Sequence, residues 1–362
     1  MELRLSWRSR LPKPLFSAMS RAMPALRPLL GSGVGLLVGL TLVAEAGPSP
    51  AKPVKSSPPA VVQPAPSLDL APQDTFSNVA RVVAIGDVHG DVTALRECLI
   101  LAGLIDAQNH WVGGKTHLVQ TGDIPDRSDN TRQAMDLLMQ LEQEAPKVGG
   151  RVIALLGNHE VMNMDGDLRY VTPGEMASYA DLSPESDPPG TPRGTRGHAM
   201  AFSAEGRYGR WLRSHAGVAK VNDSLFLHGG IGPGVTAKTL PALNRWIRQD
   251  LFPGNPAGGA RIPTGPLWFR GYALEPEASL RTVLDEVLQR FGAKRMVMGH
   301  TTTEGELVQR FNGKAIFIDT GISAHYGHHL AALEIKGGTV TGLYVSGKVP
   351  LKAPEGETPP LK

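Results

Sequence analysis

Cysteine is almost absent: Cys98 is the only one in 362 residues. A single thiol excludes an intramolecular disulfide framework and any multi-cysteine zinc or iron–sulfur site. Cys98 falls in an apolar stretch of helical spacing, so it reads as a buried, inert side chain. Long hydrophobic runs are also missing, since a spanning helix needs about 20 predominantly apolar residues and the longest uncharged run, 29–44 (LLGSGVGLLVGLTLVA), falls short. No internal repeat is present. An excess of one charge sign is absent from most of the chain. The formal charge is +3, from 37 basic and 34 acidic side chains. Residues 1–28 hold six of the bases (Arg4, Arg8, Arg10, Lys13, Arg21 and Arg27) against Glu2, and 29–46 add only Glu45. Residues 47–362 therefore carry 31 basic and 32 acidic groups. A nucleic-acid footprint needs Lys and Arg clustered on the domain itself, so no nucleic-acid partner is expected.

What is present divides into an address, a spacer and a body. A basic segment, the apolar run and Ala44-Glu45-Ala46 match a secretory signal peptide with an A-x-A-like cleavage site. An uncleaved N-terminal membrane anchor is the alternative for 1–46. Either would export the body, to the periplasm or beyond, or leave it tethered to the membrane. Residues 47–76 form a Pro-rich linker; eight prolines between 48 and 72 favour extended, semi-rigid conformations. Residues 77–349 are expected to be the catalytic body, and 350–362 a disordered tail. A hydrophobic content of 41% suffices for a core.

Within the body, β-branched or apolar runs at 81–85, 117–120 and 151–156 alternate with helical spacing at 92–102 and 131–144. Further strands are expected at 225–227, 295–298, 315–318, 330–335 and 340–345. Helices are expected near 205–214, 238–250 and 277–291, and an irregular lid or insertion over 161–205. Strand–helix alternation argues an α/β body with a central parallel sheet.

Polar motifs follow five of the strands: Gly86-Asp87-Val88-His89-Gly90-Asp91, Gly122-Asp123-Ile124-Pro125-Asp126-Arg127, Gly157-Asn158-His159-Glu160, His228-Gly229-Gly230 and Gly299-His300. Ligands of open α/β sheets gather outside the carboxyl ends of strands, so these five ends converge. Asp and His supply the oxygen and imidazole donors that Mn, Fe and Zn accept. Singly, each motif has a plainer reading: a turn, a helix N-cap or a satisfied core histidine. Their conjunction, in order and each at a strand end, points to a metal pair.

The motif order GD-x-HG, GD-x-x-DR, GNHE, HGG and GH resembles that of the calcineurin-like metallophosphoesterases. The DR pair and the Glu of GNHE are similar to the phosphoprotein phosphatase branch. ARVVAIGDVHGD, GNHEVMN (157–163), DLRYV (167–171), PLWFRG (266–271) and IDTGIS (318–323) resemble the Shewanella-like protein phosphatases. The likeness spans about 80–346. Ser128 departs from it, standing where a glycine usually follows the Arg. The resemblance implies a sandwich of two packed mixed β-sheets flanked by helices. It implies two divalent metal ions (Mn, Fe or Zn). Asp87 and His89 would bind the first, Asp123 both, and Asn158, His228 and His300 the second. It implies that His159 is a general acid oriented by Asp126, that Arg127 holds phosphate, and that Arg270 is a second clamp. Glu160 and Asp319 would support the site from behind.

The resemblance thus implies hydrolysis of a phosphorylated protein or peptide, on tyrosine or on serine and threonine, by a hydroxide bridging two metals. Glu97 and Leu99 beside Cys98 offer no anion-cradling loop, which leaves metal-activated water in place of a thiol. A dinucleoside polyphosphate or nucleotide hydrolase shares the metal motifs, and a tethered phospho-binding module without turnover is the rival of another class. His325, His328 and His329 read as a solvated turn. His198 and His215 have no partner motif, and Trp211, Trp246 and Trp268 read as core or packing residues.

Overall fold

The computed structural model describes residues 67–361, apart from positions 70, 253, 255 and 256. The leader and most of the linker lie outside the described residues. Among the described residues no helix is long and apolar enough to cross a membrane.

The chain enters through β1 (Thr75–Phe76) and the apolar β2 (Arg81–Ile85). Asp91 caps α1 (Val92–Leu101) by accepting the amide of Ala94. β3 (His117–Gln120), α2 (Thr131–Glu144) and β4 (Arg151–Ala154) follow. Four helices come next: α3 (Asn158–Asp165), α4 (Pro173–Ser178), α5 (Thr195–Phe202) and α6 (Arg207–Arg213). β5 (Val218–Val221) and β6 (Ser224–Leu227) form a tight hairpin. Then come α7 (Leu240–Gln249), α8 (Gly271–Leu274), α9 (Glu277–Phe291), β7 (Arg295–Met298), β8 (Val308–Arg310) and β9 (Ala315–Phe317). β10 (Ala331–Lys336), β11 (Thr339–Tyr344) and β12 (Gly347–Pro350) close as a meander.

Two six-stranded mixed sheets result, in the orders β12-β11-β10-β2-β3-β4 and β1-β5-β6-β7-β9-β8. In the first, β2, β3 and β4 are parallel neighbours; in the second, β6, β7 and β9 are. Alternation along the strands fixes their faces. Val82, Ala84 and Val119 from one sheet share a core with Ala219, Phe226, Val297 and Ile316 from the other. Intervening residues such as Val83, Ile85, Leu225 and Met296 belong to a second core with Leu95 and Leu138 of the helices. This is the two-sheet sandwich that the resemblance implies.

Three boundaries differ from the sequence expectation. The 161–205 segment carries more helix than expected, with some of its glycines and prolines at helix ends: Gly166 caps α3, Pro173 opens α4 and Gly194 precedes α5, while 183–194 is irregular. The body begins before Ser77: β1 pairs with β5, and the Asp74 carboxylate accepts from Asn244 at 3.1 Å. The tail expected to be disordered is held. Thr358 donates its hydroxyl to Glu277 at 2.5 Å, Arg310 donates to the Thr358 carbonyl at 3.2 Å, and the Leu361 amide donates to the Ala273 carbonyl at 2.8 Å. Its prolines disfavour helix and sheet ladders but do not prevent side-chain and terminal amide contacts.

Candidate metal centre

The motif-bearing loops do converge. Asp87 and His89 follow β2, Asp123 follows β3 and Asn158 opens α3 after β4, all at one end of the first sheet. His228 follows β6 and His300 follows β7 in the second sheet. All six are buried. The amides of Val88 and His89 donate to the Asp123 carbonyl at 2.9 and 3.0 Å, tying the first two loops together. The Glu160 carboxylate accepts from the amides of Gly157, Asp123 and Ile124, which is the supporting role expected of it. Asp319 accepts from Thr302 and from the Gly321 amide.

The backbone here is unusual. His89, Asp123, Asp126, Arg127 and His300 all have φ between +47° and +76°, the left-handed region that non-glycine residues seldom enter. Such conformations cluster where surrounding structure holds side chains against preference. Two glycines serve close approach instead: a Cβ on Gly157 would collide with the Asp123 carboxylate, and one on Gly299 with that of Asp87.

The imidazoles sort into two kinds. Three are anchored by backbone carbonyls: His89 Nδ1 on Pro125 at 3.3 Å, His228 Nδ1 on Thr121 at 3.0 Å, and His300 Nε2 on Trp268 at 3.2 Å. A nitrogen facing a carbonyl carries the proton, so the other bears the lone pair. His89 Nε2 then lies 3.9 Å from Asp87 Oδ2 and 4.0 Å from Asp123 Oδ2. His228 Nε2 lies 3.1 Å from Asp123 Oδ2 and 3.0 Å from Asn158 Oδ1. Lone pairs aimed at oxygens repel unless a cation lies among them. Carbonyl-anchored imidazoles are the usual outer support of metal ligands. His159 is the other kind: its Nδ1 bonds the Asp126 carboxylate, and its Nε2 lies 3.7 Å from Asp123 Oδ2.

Electrostatics follow the same division. Burial, reinforced by Asp319 and Asp123, pushes the Asp87 carboxyl well above the usual range. Burial lowers His89 to about 3 and His300 well below its ordinary value, so both imidazoles stay neutral. For His159 burial is outweighed by the Asp123 and Asp126 carboxylates, which lift it to about 9. A crowd of buried acids with neutral imidazoles fits divalent cations. Two sets of donor atoms lie close enough for an ion: His89, Asp123 and His159, and Asp123, His228 and His300. Asp123 belongs to both. The Asp87 carboxylate borders these sets, its oxygens accepting the His300 amide at 3.1 and 3.2 Å.

The arginines flank this centre. Arg127 lies 3.9 Å above the Tyr170 ring, and Tyr170 is 5.0 Å from the His159 ring. Exposed Arg270 donates to His300 Nδ1 at 3.4 Å and to Thr301 at 3.5 Å. Sequence reasoning passed over several neighbours. Tyr326, from the histidine-rich turn, lies 5.1 Å from His89. Asn163 donates to Asp126 at 3.0 Å, and His198 bonds Asn163 at 2.9 Å. Helical spacing gave one signal, since Asn163 follows His159 by four residues. No local pattern announces His198. Cys98 is buried as expected, and burial pushes its thiol up to about 12.

Buried carboxylates and neutral imidazoles at the carboxyl ends of two sheets, with arginines alongside, define a metal-dependent phosphoester hydrolase. The family model for calcineurin-like phosphoesterase matches residues 80–304. An uncharacterised protein of Schizosaccharomyces pombe is 34% identical over 70% of this chain and 76% of its own length. Shewanella-like protein phosphatase 2 of Arabidopsis thaliana is 34% identical over 69% of this chain and 73% of its own. The structure of a cold-active protein-tyrosine phosphatase from a psychrophilic Shewanella species has 30% identity and a TM-score of 0.65, covering 79% of this chain and 84% of that one. The chain belongs to the calcineurin-like phosphoesterase family. It is a metal-dependent phosphatase similar to the Shewanella-like protein phosphatases.

Proposed function

We propose that the protein is an exported phosphomonoesterase that removes phosphate from phosphorylated proteins or peptides, with phosphotyrosine as its preferred ester. The observation that carries the reading is the sharing of Asp123 between two sets of metal-capable side chains, one with His89 and His159 and one with His228 and His300, with His159 turned on its other nitrogen to the Asp126 carboxylate.

Asp87, His89 and Asp123 would hold one divalent ion, and Asp123, Asn158, His228 and His300 the other. When bound, such ions supply Lewis-acid charge and lower the pKa of a water, the nucleophile of an in-line displacement. The chain's own residues do the rest. Arg127 and Arg270 grip the phosphate oxygens; guanidinium forks match them and stay charged. The Tyr170 ring below Arg127 limits where that fork can point. His159 Nε2–H gives its proton to the leaving oxygen as the P–O bond to it breaks. Asp126 holds the Nδ1 side, so the imidazole enters the step protonated. Tyr170 and Tyr326, each beside a site histidine, offer faces for an aromatic leaving group, in keeping with the similarity to the cold-active protein-tyrosine phosphatase of Shewanella.

Export rests on the basic, apolar and Ala-Glu-Ala segments of 1–46. The test is a panel of phosphotyrosyl, phosphoseryl and phosphothreonyl peptides assayed against added Mn, Fe and Zn. Metal-dependent turnover with highest kcat/KM on phosphotyrosine is expected. Preference for the seryl and threonyl peptides would overturn the ester assignment, and turnover without divalent metal would overturn the metal reading.

A further inference from the structure

The His159–Asp126 pair is backed by two buried residues from the 161–205 segment. Asn163 is 3% exposed and His198 1%. The Asn163 Nδ2 amide donates twice, to Asp126 Oδ1 at 3.0 Å and to the His159 carbonyl at 2.9 Å. That use of both amide protons leaves Oδ1 as the acceptor, and it faces His198 Nε2 at 2.9 Å. His198 must therefore donate from Nε2. Its ring is fixed between Phe202, stacked at 4.5 Å, and Tyr179, edge-on at 4.9 Å. The polarity of the whole chain is then determined. His198 donates to Asn163, Asn163 donates to Asp126, and Asp126 accepts from His159 Nδ1–H, which leaves Nε2 facing the site.

We propose that Asn163 and His198 are positioning residues for the general acid, setting the angle of the Asp126 carboxylate and through it the direction of the His159 Nε2–H bond. The proposal rests on the reading of His159 as the proton donor. It deepens that reading by giving the inserted helices a task in the reaction: α3 supplies Asn163, and α5 supplies His198. A carboxylate fixed on one oxygen only can swing about its Cβ–Cγ bond. Bonding the second oxygen to Asn163 removes that freedom. Proton transfer depends on donor and acceptor meeting within hydrogen-bond reach, so the orientation is felt at the leaving oxygen and not at the phosphate. Burial lowers the His198 imidazole to about 4, in accord with a neutral ring carrying one N–H.

A general acid matters most when the leaving group is a strong base, which gives the test its discrimination. The full-length enzyme and the variants Asn163→Ala, His198→Phe, His198→Gln and His159→Ala are assayed on p-nitrophenyl phosphate and on phenyl phosphate, with metal content measured on each. The expected result is a kcat loss of roughly 10- to 100-fold on phenyl phosphate, and less than about 3-fold on p-nitrophenyl phosphate, for Asn163→Ala and His198→Phe. KM and bound metal stay unchanged. His198→Gln, which keeps an N–H donor, recovers most of the phenyl phosphate rate. Equal losses on both substrates in Asn163→Ala and His198→Gln, or no loss in either His198 variant, overturn the positioning role. If His159→Ala still discriminates between the substrates, the acid assignment survives that failure. If His159→Ala shows no leaving-group dependence, the acid assignment falls and takes the proposal with it.

Discussion

The Glu160 carboxylate and Asp123 are joined through the backbone: Glu160 Oε2 accepts the Asp123 amide at 3.0 Å, and the same oxygen accepts the Gly157 amide at 2.7 Å. One buried side chain thus ties the loop after β3 to the start of α3. A carboxylate suits the task because it can accept from three amides at once. Glu160→Gln substitutes an NH2 for one accepting oxygen, setting donor against donor in a buried place. A loss of about 1–3 kcal/mol of stability is expected, with a weaker grip on metal. Thermal unfolding and the metal content of the purified variant measure both.

Asp87 carries the most direct prediction for the metals. Asp87→Asn keeps the shape of the side chain and removes its charge. The kcat/KM on p-nitrophenyl phosphate with divalent metal supplied is expected to fall by at least about 100-fold, with the circular dichroism spectrum unchanged. Near-wild-type turnover would remove Asp87 from the metal site.

Tyr170 supports Arg127 from below. Tyr170→Ala removes a cation–π contact of roughly 1 kcal/mol and frees the guanidinium. KM for p-nitrophenyl phosphate is expected to rise about 5-fold, with a smaller change in kcat. Inorganic phosphate should inhibit the variant more weakly, which steady-state inhibition assays report.

Glu175 predicts a pH effect on stability. It is fully buried, and neither carboxyl oxygen has a partner in hydrogen-bonding geometry, although the Thr131 hydroxyl and the Asp126 amide lie nearby. Burial, with the charge of Asp126, raises its pKa from an ordinary 4.5 to about 8. The folded protein therefore keeps this proton through a window in which the unfolded chain releases it. The stabilisation is whole below about pH 4.5 and drains away as pH climbs to about 8. Glu175→Gln lacks that loss. The melting temperature of the variant relative to wild type should climb between pH 5 and pH 9; a constant difference would mean that Glu175 is ionised throughout.

The parallel strands were legible because they are short, apolar and bounded by turn residues. The spans 81–85, 117–120 and 295–298 match β2, β3 and β7 residue for residue. β1 has only two residues and β8 only three, too few for any period to show. α4 and α5 were hidden by the glycines and prolines at their ends. The metal-capable side chains were legible because each sits beside a strand end in a glycine-marked motif. His198 was not, because its partner is 35 residues away and the link is a single hydrogen bond between buried side chains. Composition misled at the tail, where proline content concealed the contacts of Thr358 with Glu277 and Arg310.

The candidate ligands are divided between the sheets, with Asp87, His89, Asp123 and Asn158 on one and His228 and His300 on the other. An ion held by Asp123 of one sheet and by His228 and His300 of the other would close the long loop between those positions. Crosslinks over long loops restrict the unfolded chain most. In a protein with a single cysteine, bound metal would then be the fold's one available staple. Depleting it should loosen the seam between the sheets as well as silence the chemistry, making metal supply a condition of the fold's persistence as well as of turnover.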